Sequence, residues 1–224
     1  MNLETLTQEP LETVKVLGGQ GWIALHALTG SDAVIADVSG QCYGLEPTGK
    51  EKRKLIKKML TSVPAHRSPL EFVELWFRVY CPLFVRSQWH RHRTWQYMEL
   101  SRRYTSGNLE FYVPNPRPVK DAVPLTLEKM EEARASFKLA HYAAVVRYEH
   151  LLELGVCKEQ ARGVLPVNLM TTFWAKVDLN NLCRFLEVRD EDHAQAEIRE
   201  YAQAIKKMVG PRLPLVAEAL NWNY

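Results

Sequence analysis

The chain has 224 residues, of which 46% are hydrophobic and 25% charged, and its formal net charge is +3. That balance is ordinary for a soluble globular protein, and the charge alone is too small to point to nucleic acid. No apolar run approaches the roughly 20 residues of a membrane helix.

No basic-then-apolar leader opens the chain, so a cytoplasmic protein with no membrane partner is expected. The cysteines Cys42, Cys81, Cys157 and Cys183 form no Cys-x-x-Cys pair, so reduced, inert thiols and no metal are expected. Length and the absence of internal repeats are compatible with one domain over residues 1–224.

Residues 1–12 are polar and read as a loosely held tail. Val14–Leu17 and Trp22–Leu28 read as strands joined by a turn at Gly18-Gly19-Gln20-Gly21. Ser31-Asp32 suits the N-cap of a short helix running to about Val38. From Gly49 to Leu60 six lysines and arginines surround Leu55, Ile56, Met59 and Leu60. That is the solvated side of an amphipathic helix rather than a nucleic-acid face, because no aromatic residue is interleaved. Pro64 and Pro69 bracket a loop with His66 and Ser68, and Glu71–Tyr80 then alternates as a half-buried strand with Val73, Leu75, Phe77 and Val79 on one side.

Pro82 suits the first turn of a helix extending over residues 82–95. It runs into the densest stretch of the chain. Between Gln88 and Tyr104 stand Arg91, Arg93, Arg102 and Arg103, His90 and His92, Glu99, Ser101 and four aromatic residues. Cations beside aromatic rings suit a ligand with both a phosphate and a flat ring. On a helix Arg91 and Arg93 point about 200° apart, so Arg91-His92-Arg93 could serve two anionic ligands meeting at one helix end. A plain solvated face would show the same charges, but not Trp89, Trp95, Tyr97, Met98 and Leu100 among them.

Phe111–Val113 reads as a short strand. Thr126 opens a long helix to about Leu154 whose Leu127, Met130, Phe137, His141, Val145, Tyr148 and Leu152 recur at helical spacing, as core or as a subunit interface. Lys158–Val164 reads as a short helix stopped by Pro166, Asn168–Val177 as a strand, and Asp178–Leu186 and Asp192–Met208 as helices, with a last helix beyond Gly210-Pro211. Strands and helices without a regular βαβ rhythm point to an α+β fold.

Three separated motifs resemble the flavin-dependent thymidylate synthase family. Arg91-His92-Arg93, then seven residues, then Ser101 is similar to its signature. His66-Arg67-Ser68-Pro69-Leu70-Glu71, the following strand and Gln88 resemble its approach to that signature. Arg162–Pro166 and Arg189–Gln195 resemble its C-terminal half, so the likeness spans residues 30–205. The resemblance implies an α+β fold with a mixed or antiparallel central sheet flanked by long helices. It implies reductive methylation of dUMP to dTMP, with 5,10-methylenetetrahydrofolate as one-carbon donor and FAD reduced by NADPH. It also implies a homotetramer with shared active sites and no nucleic-acid partner.

Carried over residue by residue, the resemblance implies dUMP contacts from Gln88, Arg91, Glu99, Leu100, Ser101, Arg102, Arg103, Arg162 and Arg189. Arg103 and Arg162 would clamp the phosphate. Arg189 would be the catalytic cation beside the uracil ring, making C5 more nucleophilic; its alternative is a salt bridge to Asp190 or Asp192. Implied FAD contacts are Ser68, Glu71, Arg91, His92, Arg93, Glu99, Asp178, Asn180, Arg184 and His193, with Ser39 and His66 near the flavin. Ser101 has no general base nearby in sequence and reads as a dUMP contact, not a nucleophile. Cys81, which would be tempting in the flavin-independent class of the enzyme, reads as structural. The chain departs from the family at Met98, often asparagine, at Arg102, commonly glycine, and at Asp178, Asn180 and Arg184. Those departures keep open a flavin-binding relative without methylation. A nucleic-acid module using residues 50–58 and 91–103 is the remaining alternative.

Overall fold

A computed structural model describes residues 9–222 apart from 106, 108 and 121, so most of the polar tail lies outside the described residues. Strands β1 (Glu12–Val16) and β2 (Gly21–Thr29) form an antiparallel hairpin with Val14 opposite Ile23. The turn between them places Gly18 at φ 64° and Gly19 at φ 89°, which a side chain would resist. β2 pairs antiparallel with β3 (Glu74–Pro82), Ile23 opposite Val79, through a register shift between Leu25 and Ala27. With β4 (Gln96–Glu99) and β5 (Met170–Asp178) they make a five-stranded sheet in the order β1-β2-β3-β5-β4. Its class is the expected α+β.

The helices are α1 (Asp32–Gln41), α2 (Gly49–Thr61), α3 (Leu83–Trp89), α4 (Leu127–Glu153), α5 (Lys158–Ala161), α6 (Leu179–Arg189), α7 (Ala196–Val209) and α8 (Pro214–Ala219). Their starts follow local chemistry. Ser31 Oγ accepts the Val34 amide at 3.3 Å, Thr126 Oγ1 the Lys129 amide at 3.3 Å, and Asp178 Oδ1 the Asn181 amide at 2.9 Å. Glu51 takes the Thr48 amide at 3.0 Å, opening α2. That helix buries Ile56, Met59 and Leu60 and turns its cations outward, where Lys52 pairs with Asp37 and Arg53 with Glu218.

Two compact units make up the chain. The first holds the described residues up to Tyr80, Gln88–Met98 and those from Phe173 onward; the second holds Cys81–Ser87 and Glu99–Thr172. The first unit's core alternates as the strand pattern requires: Val73, Leu75, Phe77 and Val79 are fully buried while Trp76 is 42% exposed. In the second unit α4 is long but mostly exposed, and of its apolar stripe only His141 and Tyr148 are buried.

Several boundaries differ from expectation. The helix expected over 82–95 stops at Trp89, and turns lead into β4. Trp89 and Trp95 are both buried and their rings meet edge to face at 5.8 Å. Six residues apart on one helix they would diverge by about 120°, so burying both requires the chain to turn. Tyr97 Oη lies 3.0 Å from the carbonyls of both Trp89 and His92 and caps the ended helix. Arg91 and Arg93 therefore sit in exposed turns, and their opposed directions on a helix do not arise.

The third strand begins at Glu74 instead of Glu71, because Ser68–Phe72 winds into a 3-10 turn behind Pro69. Phe111–Val113 contributes one bridge, Phe111 to Leu169, rather than a strand. The helix expected from Asp192 starts at Ala196.

Candidate active site

In the first unit the centre is Arg189, at the end of α6. Its Nε donates to His92 Nε2 at 3.0 Å and its Nη2 to the Gln88 carbonyl at 3.0 Å. Asp190 pairs with Lys206 and Asp192 with Arg199, so the salt bridge weighed for Arg189 goes elsewhere. Nη1 of Arg189 has no partner among the described residues and remains available to a ligand. Because His92 accepts through Nε2, its proton resides on Nδ1.

Burial, and secondarily the Arg189 charge, push the His92 imidazole down to about 4 from its usual 6.5. Stability from neutral His92 is therefore complete above pH 6.5 and is lost as the pH falls toward 4. An NMR titration of the His92 ring should show its midpoint near 4; a midpoint at the ordinary histidine value would contradict this packing.

Gln88 donates its side-chain amide to Gln195, which donates to the buried carboxylate of Glu197 at 2.9 Å. Arg91 and Arg93 are exposed and pair with no described residue. Of the other expected FAD contacts, Asn180 is buried and donates to Glu71 at 3.0 Å, while its Oδ1 is buried without a partner. Ser68 lines a cavity of about 360 Å³ together with Ser39 and His66, and Ser39 is 8% exposed with no hydrogen-bond partner among the described residues. Arg184 and His193 are exposed. Asp178 is the exception: both of its oxygens are taken by Asn181, at 2.9 and 2.6 Å, so it acts as the cap of α6. Asp178→Ala should cost about 1 kcal/mol in urea unfolding. Unchanged stability with lost flavin affinity would make it a ligand instead.

In the second unit Glu99, Leu100, Ser101, Arg102 and Arg162, separated by sixty residues, line one cavity of about 500 Å³. Glu159 also lines it and organises two of the expected phosphate residues. Its carboxylate pairs with Arg103 Nε at 3.1 Å and its carbonyl accepts from Arg162 Nε at 3.2 Å. Ser101 follows β4 and opens a turn: its carbonyl accepts from the Tyr104 amide and its hydroxyl from the Arg103 amide. Arg102 lines the cavity and donates to the Gly107 carbonyl at 3.0 Å.

Sequence reasoning missed Arg86, Glu159 and Thr171, which line the same cavity. No local pattern marks Arg86, which reaches the wall from α3 beside Leu83. Cys81 is fully buried and its thiol is pushed up by desolvation, which fits a structural cysteine. Among the described residues no cluster of His, Cys, Asp and Glu could hold a metal ion.

The family model described as thymidylate synthase complementing protein matches residues 24–215. A flavin-dependent thymidylate synthase of Thermus thermophilus is 40% identical over 215 residues, covering 93% of this chain and 78% of its own. One from Thermotoga neapolitana is 36% identical, covering 89% of this chain and 90% of its own. The solved structure of a UMP/dUMP methylase, PolB from Streptomyces cacaoi, bound with 5-Br dUMP, is similar with a TM-score of 0.80 and 26% identity, over 89% of this chain and 94% of that one.

Proposed function

The chain belongs to the flavin-dependent thymidylate synthase family, and from that membership we propose that it converts dUMP to dTMP by reductive methylation. The observation that supports it most in this chain is the second-unit cavity, where the signature serine segment and Arg162 come together.

We assign dUMP binding to Gln88, Arg91, Glu99, Leu100, Ser101, Arg102, Arg103, Arg162 and Arg189. Arg103 and Arg162, gathered by Glu159, suit a phosphate, where guanidinium bonds are stronger than neutral ones. The Ser101 hydroxyl accepts from the Arg103 amide and donates to no carboxylate or imidazole among the described residues, so we read it as a binding group rather than a nucleophile. Arg189 is held by two hydrogen bonds with one terminal nitrogen open. A cation fixed before the substrate arrives stabilises negative charge on a pyrimidine without having to reorganise.

The residues present fit FAD. Arg91 and Arg93 are cations that pair with no described residue and suit a diphosphate, Asn180 Oδ1 is buried without a partner, and Ser39 faces a cavity. Ser68, Glu71, Arg91, His92, Arg93, Glu99, Asn180, Arg184 and His193 would hold it, with Asp178 supporting Asn180 through the helix it caps. When bound, FAD supplies the reducing electrons, drawn from NADPH, that complete the methyl group delivered by 5,10-methylenetetrahydrofolate. His92, kept neutral, places no second positive charge beside Arg189.

We further propose a homotetramer with shared active sites. Exposed Leu127, Leu139, Tyr142 and Val146 on α4 supply an apolar face for another subunit. No helix among the described residues is long and apolar enough to cross a membrane, and the four free cysteines agree with work in the cytoplasm.

The test is turnover. Purified protein loaded with FAD should form dTMP from dUMP when given 5,10-methylenetetrahydrofolate and NADPH. Tight flavin and dUMP binding without dTMP would favour a relative that has lost methylation.

A further inference from the structure

We propose that Arg86 is a positioning residue of the nucleotide site, acting through Glu99. The inference rests on the function proposed above and concerns a residue that none of the family motifs includes. Arg86 and Glu99 both line the second-unit cavity, and Arg86 Nε lies 3.2 Å from Glu99 Oε1. The contact is an ion pair rather than a directed bond, since Arg86 Nε is buried and donates no hydrogen bond. The same Oε1 accepts the Thr171 hydroxyl at 2.9 Å. One carboxylate oxygen is thus fixed twice, and Oε2 has no partner among the described residues.

This division of labour has a physical reason. A carboxylate lining a cavity that must also accept a phosphate would repel its ligand and could swing away. Arg86 offsets that charge and, with Thr171, confines the rotamer, so Oε2 is presented to the sugar or base as an oriented acceptor. The local fold makes the arrangement. Helix α3 buries Val85 and Trp89, one turn apart, and that leaves Leu83 and Arg86 on the side that walls the cavity.

Isothermal calorimetry of dUMP binding to the FAD-loaded protein tests it, with a double-mutant cycle between Arg86→Gln and Glu99→Gln. Arg86→Gln should raise the dUMP Kd about tenfold in the native background and leave it unchanged in the Glu99→Gln background. Arg86→Lys should stay within about threefold of the native Kd, because a charge pair tolerates a lysine where a bidentate contact does not. Thermal unfolding of each variant checks the fold. If Arg86→Gln does not fold, Arg86→Met of similar length takes its place in the cycle. Equal loss in both backgrounds would mean that Arg86 touches the nucleotide directly, and no loss in either would mean that it is only structural; both overturn the proposal. Native protein that fails to bind dUMP would instead overturn the proposed function, leaving the Arg86–Glu99 pair unexplained.

Discussion

Arg189→Lys is expected to lower turnover of dUMP by about a hundredfold or more, with a smaller loss of dUMP affinity. Lysine keeps the positive charge. It loses the planar fork that donates to His92 Nε2 and the Gln88 carbonyl at once, and with it the fixed direction of the remaining nitrogen. Stabilising charge on the pyrimidine depends on that direction, because a cation that must be reoriented during the reaction contributes far less. Steady-state kcat and KM on native and variant protein separate the two effects. A variant with native kcat and a raised KM would assign Arg189 to ground-state binding alone.

Trp89→Ala should be the most damaging single core change, at about 3–5 kcal/mol. The indole is fully buried and packs within 5.8 Å of the rings of Trp95, Phe173, Phe185 and Tyr201. Its Nε1 makes no hydrogen bond, so the loss is one of packing and burial rather than of a polar contact. Against a total stability of order 5–15 kcal/mol, that places the variant near unfolding. Because Trp89 also fixes the turn that carries Arg91, His92 and Arg93, any folded fraction should bind flavin weakly. Urea unfolding followed by fluorescence gives the number, and a loss below about 1 kcal/mol would contradict the cluster's role.

Much of this architecture is written in short-range patterns. The alternation from Val73 to Val79, the caps at Ser31 and Thr126 and the amphipathic 49–61 helix all rest on chemistry within a few residues, and sequence reasoning reached them. The end of α3 could not be reached that way. Nothing between His90 and Trp95 forbids a helix locally, and the turn is imposed by Phe173, Phe185 and Tyr201, which lie far along the chain. The candidate site divides in the same manner. Arg162 and Ser101 were legible through family motifs, and the cavity they line supports that choice. Arg86, Thr171 and Glu159 were not, because each earns its place through a tertiary partner: Glu99 for the first two, Arg103 for the third. Asp178, read through the family likeness as a flavin contact, has both carboxylate oxygens engaged by Asn181 at the start of its own helix.

The most direct test of an arginine-built site that holds a nucleotide against a flavin is the visible spectrum of the FAD-loaded protein during a dUMP titration. The flavin bands should shift and saturate at the dUMP concentration that calorimetry gives for binding, and Arg162→Gln should move that concentration upward. Binding of dUMP that leaves the flavin spectrum untouched would contradict a shared site, whatever the activity of the protein.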